Sequence, residues 1–246
     1  MAKNSLFDQL CTEQGLLDAW KLVKSKNAAG GIDGISVTQY EKDIGRNITS
    51  LAEELHNHKW SPFPYLRVDI PKKDNEKRRL GLLTIKDKIV QQALVTLIQP
   101  NFERLFVNNS YGYRPGKGPV KAIHRTSSLC GCRRNTWVLC LDIDNFFDTI
   151  DHTILFSLLQ QHIPDTEILR LIQLCVQMGT VSKKNRWQPS NAGVPQGQYF
   201  LQCWRTFICI HSTSLCFRRR ILMSGMPMIL SHVAEVKNLP RVCSSK

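Results

Sequence analysis

Four aspartates, Asp142, Asp144, Asp148 and Asp151, fall within ten positions around the aromatic pair Phe146-Phe147. They follow directly on the apolar run Val138-Leu-Cys-Leu141, which is short enough for a buried strand. On a strand, Asp142 and Asp144 share one face, because side chains alternate with period two. Carboxylates on a buried strand need compensation, since unpaired buried charge is very costly. A divalent cation supplies it: Mg²⁺ takes one or two carboxylates and completes its shell with substrate phosphates and water. The same residue type also caps helices and ends turns. Asp151 predicts the N-cap of a helix over His152 to His162, and Asp148 fits a turn. Asp142, directly after the apolar run, does not fit a cap. Metal ligand and strand-end carboxylate both stand for it at this point.

The elements that must position these groups are legible as periodic patterns. Leu6 to Lys26 carries Leu6, Leu10, Leu17, Trp20 and Val23 on one side and predicts an amphipathic helix. It stops at Asn27-Ala-Ala-Gly-Gly-Ile-Asp-Gly34, a helix stop that is also able to approach a phosphate backbone. A second helix is predicted from Ile44 to His58. Trp60 to Pro71, with its prolines and β-branched residues, predicts an edge strand that leads into the basic hairpin Lys72-Lys-Asp-Asn-Glu-Lys-Arg-Arg-Leu-Gly81. That charge run reads as a solvated turn or, between two strands, as cations (Lys72 and Lys73 among them) aimed at a substrate. Ile85 to Phe106 predicts a strong helix with Val90, Ala93, Leu94, Leu97 and Ile98 buried, interrupted late by Pro100. In Ser110-Tyr-Gly-Tyr-Arg-Pro-Gly-Lys-Gly118, Tyr111 and Tyr113 alternate with Arg114 and Lys117. That pattern suits base stacking beside phosphate contacts; the same tyrosines also suit a packed loop. Val120 to Leu129 predicts a helix returning to the aspartate strand. Two helices after Asp151 end near Met178, and Ser190 to Gly197 reads as a tight turn.

A formal charge of +13 over 246 residues implies a polyanionic partner, nucleic acid first. No apolar run is long enough to span a bilayer. Met1-Ala-Lys-Asn-Ser5 has no apolar signal core. The expectation is a cytoplasmic protein with no membrane partner. Nine cysteines at irregular spacings, with Cys130-Gly-Cys132 lacking a matching second pair, read as reduced thiols.

Six segments in order carry a resemblance. They are Gly-Ile-Asp-Gly at 31–34, Lys-Arg-Arg-Leu-Gly at 77–81, Ile-Lys-Asp-Lys-Ile-Val-Gln-Gln-Ala at 85–93 and Tyr-Gly-Tyr-Arg-Pro-Gly at 111–116. Asp-Ile-Asp-Asn-Phe-Phe-Asp-Thr-Ile-Asp-His at 142–152 and Gly-Val-Pro-Gln-Gly at 193–197 complete the set. Over roughly Leu17 to Gly197 their order and spacing resemble the fingers and palm of group II intron-type bacterial reverse transcriptases. The resemblance implies an α+β fold, with fingers of helices around a small antiparallel sheet, a partial palm and no thumb. It implies an N-terminal helical extension over 1–60, fingers and partial palm over 61–197, and an aberrant tail over 198–246. Asp142 matches the first metal-binding, catalytic aspartate, and the carbonyl of Ile143 would also face a metal. Phe147 matches the aromatic that closes the pocket against a ribose 2′-hydroxyl. Gln196 and Gly197 match the turn against the incoming nucleotide and template. Lys72 and Arg78 match the cations that hold the triphosphate, a task suited to the planar fork of arginine. Lys73, Tyr111, Tyr113, Arg114 and Lys117 are the candidate nucleic-acid contacts. The implied reaction is RNA-directed DNA synthesis by two-metal phosphoryl transfer with two Mg²⁺ ions. Its partners are an RNA template, a DNA primer and deoxynucleoside triphosphates. Such proteins also assist splicing of their host intron RNA. A non-catalytic, maturase-like RNA-binding remnant is therefore a second reading, and a decayed gene fragment with no function a third.

The resemblance stops at Gly197. The family carries a second metal motif, Tyr-Ala-Asp-Asp, on a hairpin after the Pro-Gln-Gly turn. Here no aspartate follows Asp165, and from Tyr199 to Lys246 the one acidic residue is Glu235. Cys203, Cys209, Cys216 and Cys243 crowd in with Arg218-Arg-Arg220. When the third base of each codon is read with the first two of the next, Met226-Pro-Met-Ile229 forces Ala and a final Asp and permits Tyr-Ala-Asp-Asp. In that frame Gln202 to His211 permits Val-Leu-Ala-Asn-Ile-Tyr-Leu-His, which looks like the family's continuation. The expectation is a reading frame that slipped just after Gly197, leaving a truncated polymerase that is inactive for want of its second metal motif. The tail is expected to be poorly packed or disordered, and the palm sheet to have unpaired edges.

Overall fold

In chain order the elements are α1 Leu6–Leu10, α2 Glu13–Ser25, α3 Val37–Glu41, α4 Ile44–His56, β1 Tyr65–Pro71, β2 Lys77–Leu82, α5 Ile85–Glu103 and α6 Pro119–Gly131. Then follow β3 Trp137–Leu141, α7 His152–Gln160, α8 Thr166–Gln177, β4 Thr180–Ser182, β5 Trp187–Gln188, β6 Ile221–Met226 and β7 Ile229–Ala234. The computed structural model describes residues 5–71, 77–112, 114–131, 137–141, 146–182, 186–190, 192–194, 197, 199–200, 221–226 and 229–234. The chain forms two units. One comprises Met1–Phe102 with Asn145–Leu201, the other Glu103–Asp144 with Gln202–Lys246.

In the first unit, side-chain caps set the helix starts. The Ser5 hydroxyl accepts from Asp8 N at 2.9 Å, and the Thr12 hydroxyl accepts from Gly15 N at 3.2 Å. The single helix predicted over Leu6 to Lys26 is therefore two, because Thr12 satisfies the free N–H groups of a new first turn. The second of these buries Leu16, Ala19, Trp20 and Val23, and α4 buries Ile48, Leu51, Ala52 and Leu55. Asp151 and Asp165 cap α7 and α8 in the same way.

The sheet of this unit runs β2-β1-β4-β5. β1 pairs antiparallel with β2 and parallel with β4, and β4 pairs antiparallel with β5. Two expectations are corrected. The sheet is mixed, not wholly antiparallel, and β1 is an interior strand, not an edge. The prolines explain the second point: Pro62 and Pro64 precede the strand and Pro71 ends it, so none removes a donor from its middle.

In the central helix, α5, Val90, Ala93, Leu94 and Ile98 are buried as predicted, but burial extends round the helix. Ile89, Leu94, Ile98 and Phe102 are fully buried, each worth roughly 1.5–3 kcal/mol. Leu97 is only half-buried, while Asp87, Lys88, Gln91 and Gln92 are buried beside the apolar residues. They are tolerated because each has a partner. Asp87 accepts from the Thr84 hydroxyl at 2.7 Å and from Phe63 N at 3.1 Å. The Lys88 ammonium donates to the Ala29 carbonyl. Gln91 accepts from Tyr199 N at 3.2 Å, and Gln92 from the Lys26 ammonium at 3.0 Å.

In the second unit, Pro119 opens α6 at the first helical position, where its missing N–H costs nothing. The sheet runs β3-β7-β6, all antiparallel. This corrects the expectation of disorder for Ile221–Met226 and Ile229–Ala234, which form strands, while β3 and β6 remain the outer strands of the sheet. Strand ladders are made by backbone groups, so a β-prone run such as Ile229-Leu-Ser-His-Val-Ala234 covers an open edge whatever its origin. Phe200, also in the predicted tail, is fully buried in the first unit. Among the described residues, no helix is long and apolar enough to cross a membrane.

Candidate functional site

Three of the six segments meet in the first unit. The turn at Phe146–Thr149 is tied to the Gly-Val-Pro-Gln-Gly segment by two backbone bonds. Val194 N donates to the Phe147 carbonyl at 2.7 Å, and Gly193 N donates to the Ile150 carbonyl at 2.8 Å. The buried ring of His152 adds a third, Nε2 to the Gly193 carbonyl at 2.7 Å. Gly193 sits at φ +75°, where a Cβ would come within 2.7 Å of the Asp148 carbonyl oxygen. Gly197, at φ +122°, lies so close to β2 that a Cβ would be 2.3 Å from the Gly81 carbonyl oxygen. Both positions need glycine for backbone conformation and for space. The fourth segment supports from behind: a Cβ at Gly31 would be 2.4 Å from Thr84 N, where α5 begins.

Between these backbones lies a cavity of about 260 Å³, lined by Arg67, Arg79, Gly81, Asp148, Gln188 and Gly193 among others. The β1–β2 register pairs Arg67 with Gly81 and Asp69 with Arg79, so both arginines stand on one face of the sheet. Arg67 is held loosely by Asp69, Nε to Oδ1 at 3.4 Å. Arg79 is exposed. Neither arginine was singled out from the sequence. The alternation of β1 and the pairing of Arg67 with Gly81 were the signals available.

Phe147 is half-buried, edge-on to Phe146 with ring centroids 5.2 Å apart. Gly197 stands against Gly81, as described. Arg78 occupies the β2 position paired with Ile70, one residue off the register of Arg79. Asp142, Ile143, Lys72, Lys73, Tyr113 and Gln196 lie outside the described residues. Among the described residues, no three His, Cys, Asp or Glu side chains are placed to hold a metal ion. Asp151 acts as the predicted cap. Its carboxylate accepts from Thr153 N at 2.7 Å and Ile154 N at 3.1 Å, and these bonds hold its pKa below the usual value.

In the second unit, the described part of the Tyr-Gly-Tyr-Arg-Pro-Gly loop is organised around Arg114. The Arg114 side chain is only 8% exposed and binds Glu103 through Nε at 3.0 Å and Nη2 at 2.9 Å. Its Nη1 donates to the carbonyls of Val107 and Ser110, and its guanidinium lies 5.2 Å from the Phe106 ring centroid. Its donors close a loop, so Arg114 is reassigned from nucleic-acid contact to structural clamp. Lys117 sits over the Tyr111 ring at 5.1 Å and donates to the Asn108 carbonyl. Desolvation, then the nearby Arg114, lowers its pKa.

The family described as reverse transcriptase (RNA-dependent DNA polymerase) matches residues 70–199, more than half of the chain. The chain belongs to the reverse transcriptase family. It is 31% identical over 188 residues to Protein YkfC of Escherichia coli (strain K12), covering 74% of this chain and 49% of that protein. It is also 31% identical over 153 residues to Group II intron-encoded protein LtrA of Lactococcus lactis subsp. cremoris, covering 61% of this chain and 25% of that protein. This reverse transcriptase chain thus spans about half the length of the first relative and a quarter of the second. Among solved structures, its fold is similar to a chain of a partial Cas6-RT-Cas1–Cas2 complex. The TM-score is 0.61 at 17% identity, over 95% of this chain and 39% of that one. At that identity the likeness is one of fold.

Proposed function

We propose that the chain is the fingers and partial palm of an RNA-directed DNA polymerase of group II intron type, that it holds RNA, and that in its present reading frame it does not polymerise. The observation that carries this reading is the register of the second sheet. Leu141, the last residue of β3, pairs with Leu230, and Met226 pairs with Ile229. The β6–β7 hairpin therefore closes at the Asp142 end of β3. The codons of Met226-Pro-Met-Ile229 are those that permit Tyr-Ala-Asp-Asp in the alternative frame. A chain translated in that frame would carry the second metal motif at these positions; this one carries Pro227 and Met228 there.

Asp142 and the Ile143 carbonyl would hold Mg²⁺ in this reading, and two such ions supply activation of the primer 3′-hydroxyl and support of the departing pyrophosphate. The other roles belong to the chain itself. Phe147, pinned through its carbonyl by Val194, closes against the ribose 2′-hydroxyl. Gln196 and Gly197 lie against the incoming nucleotide and the template. Lys72 and Arg78 hold the triphosphate. Arg67 and Arg79 offer phosphate contacts from the other face of the sheet, and Lys73, Tyr111, Tyr113 and Lys117 contact nucleic acid elsewhere.

A maturase-like role, in which RNA is bound without chemistry, is favoured by the charge of +13 and by the group II intron-encoded relative. It is tested by RNA affinity across a salt series. Binding is expected to weaken steeply with salt, because phosphate contacts release counterions, and to persist in Asp142→Ala. Salt-independent binding, or none, contradicts the reading.

A further inference from the structure

The edge strand β5 carries a large aromatic that none of the roles above uses. Trp187 is 60% exposed, whereas Trp20 and Trp60 are 4% and 2% exposed. It is exposed but seated. A Cβ at Gly179 would meet Trp187 Nε1 at 2.4 Å and the Gln188 carbonyl oxygen at 2.7 Å, so the indole lies directly over the Gly179 backbone. Gly179 is itself fixed, its carbonyl accepting from Tyr65 N at 3.1 Å, and Trp187 is paired with Val181 in the ladder. One side of the ring rests on backbone, and much of the rest is open.

Within the hairpin the charge has one sign. The hairpin reads Ser182-Lys-Lys-Asn-Arg-Trp-Gln-Pro189, with three cations and no carboxylate. Arg186 is exposed. An edge strand with an open aromatic is a hazard unless something covers it. A preorganised ring among cations suits a polyanion whose repeating planar groups stack. We propose that the β4–β5 hairpin is a stacking platform for single-stranded RNA. Trp187 takes an unpaired base, while the exposed Arg186 takes a flanking phosphate. Base faces are hidden in a duplex, so the platform selects single strands. This inference rests on the nucleic-acid reading above but requires neither Asp142 nor catalysis.

The test uses the full chain, with fluorescence anisotropy on an unstructured single-stranded RNA and on a duplex of the same length. Trp187→Ala is expected to weaken single-strand binding roughly tenfold and leave duplex binding unchanged. Trp187→Phe is expected to keep most of the affinity, and thermal melts of both variants control for folding. Arg186→Ala is expected to lower the salt slope by about one phosphate contact. If the parent chain binds RNA with the expected salt dependence but Trp187→Ala binds single strands equally well, the platform is wrong and the wider reading stands. If the parent binds no RNA, both fall. If Trp187→Ala shifts the chain from dimer to monomer in light scattering with single-strand binding intact, the surface belongs to a second copy and the proposal is overturned.

Discussion

Gly193, Gly197 and Gly34 all have positive φ, yet they are held by different constraints. At Gly34, φ +69°, a Cβ would have no neighbour within 4 Å, whereas at Gly193 and Gly197 it would face carbonyl oxygens at 2.7 and 2.3 Å. Gly34→Ala is expected to cost about 1 kcal/mol, from backbone strain alone. Gly193→Ala and Gly197→Ala are expected to cost roughly 2–4 kcal/mol, because overpacking adds to strain. Urea unfolding midpoints measure the difference; equal costs at all three would remove the close approach as the reason for glycine.

The buried pair on α5 gives a second prediction at this scale. Burial pushes the Asp87 carboxyl up to about 6, against the opposing pull of its bonds to Thr84 and Phe63. Burial brings the Lys88 ammonium down to about 8. Folded Asp87 keeps its proton up to about pH 6, while an unfolded aspartate loses it near 4, so stability falls as pH rises through that window. Unfolded Lys88 keeps its proton to about pH 10.5 while the folded one loses it near 8, so stability recovers over that range. Asp87→Asn should flatten the acid limb and Lys88→Met the alkaline limb, each by on the order of 3 kcal/mol, in denaturant melts across pH. An acid limb that survives Asp87→Asn contradicts the assignment.

At the scale of elements, the loop after α5 depends on one side chain. Arg114→Ala would leave the Glu103 carboxylate part-buried without its guanidinium and the Val107 and Ser110 carbonyls without a donor. The expected cost is about 2–4 kcal/mol. Arg114→Lys should recover little of it, since an ammonium cannot reproduce the fork. Faster proteolysis within 103–118 is the readout; unchanged protection in Arg114→Ala would sink the clamp. The sequence left packing and stacking both open for this loop because Tyr and Arg serve either, and only the position of Glu103 decides. Elements fixed by local chemistry were legible: α4, and α7 and α8 behind Asp151 and Asp165. Elements decided by distant partners were not. The parallel partner of β1 arrives more than 100 residues later in the chain. The burial of Lys88, Gln91 and Gln92 on α5 was not legible, because Ala29, Tyr199 and Lys26, which bond them, are remote in sequence. The candidate site was legible as motifs; Arg67 and Arg79 were missed because their shared face exists only once β1 and β2 are in register.

For the whole molecule, family membership and strong positive charge meet a family match that ends at residue 199; the reading frame is proposed to depart from the family after Gly197. The two sheets fall in different units, and the second is completed by β6 and β7 from beyond that point. The codons of Met226-Pro-Met-Ile229, which permit Tyr-Ala-Asp-Asp, are the reason to expect that the alternative frame encodes a functional palm. The most direct measurement is primer extension on an RNA template with Mg²⁺ and deoxynucleoside triphosphates. It compares the chain as translated with the product of the gene restored to the alternative frame after Gly197. No extension is expected from the first, extension from the second, and loss of that extension on Asp142→Ala. Extension by the chain as translated, abolished by Asp142→Ala, would contradict the proposed loss of polymerase activity.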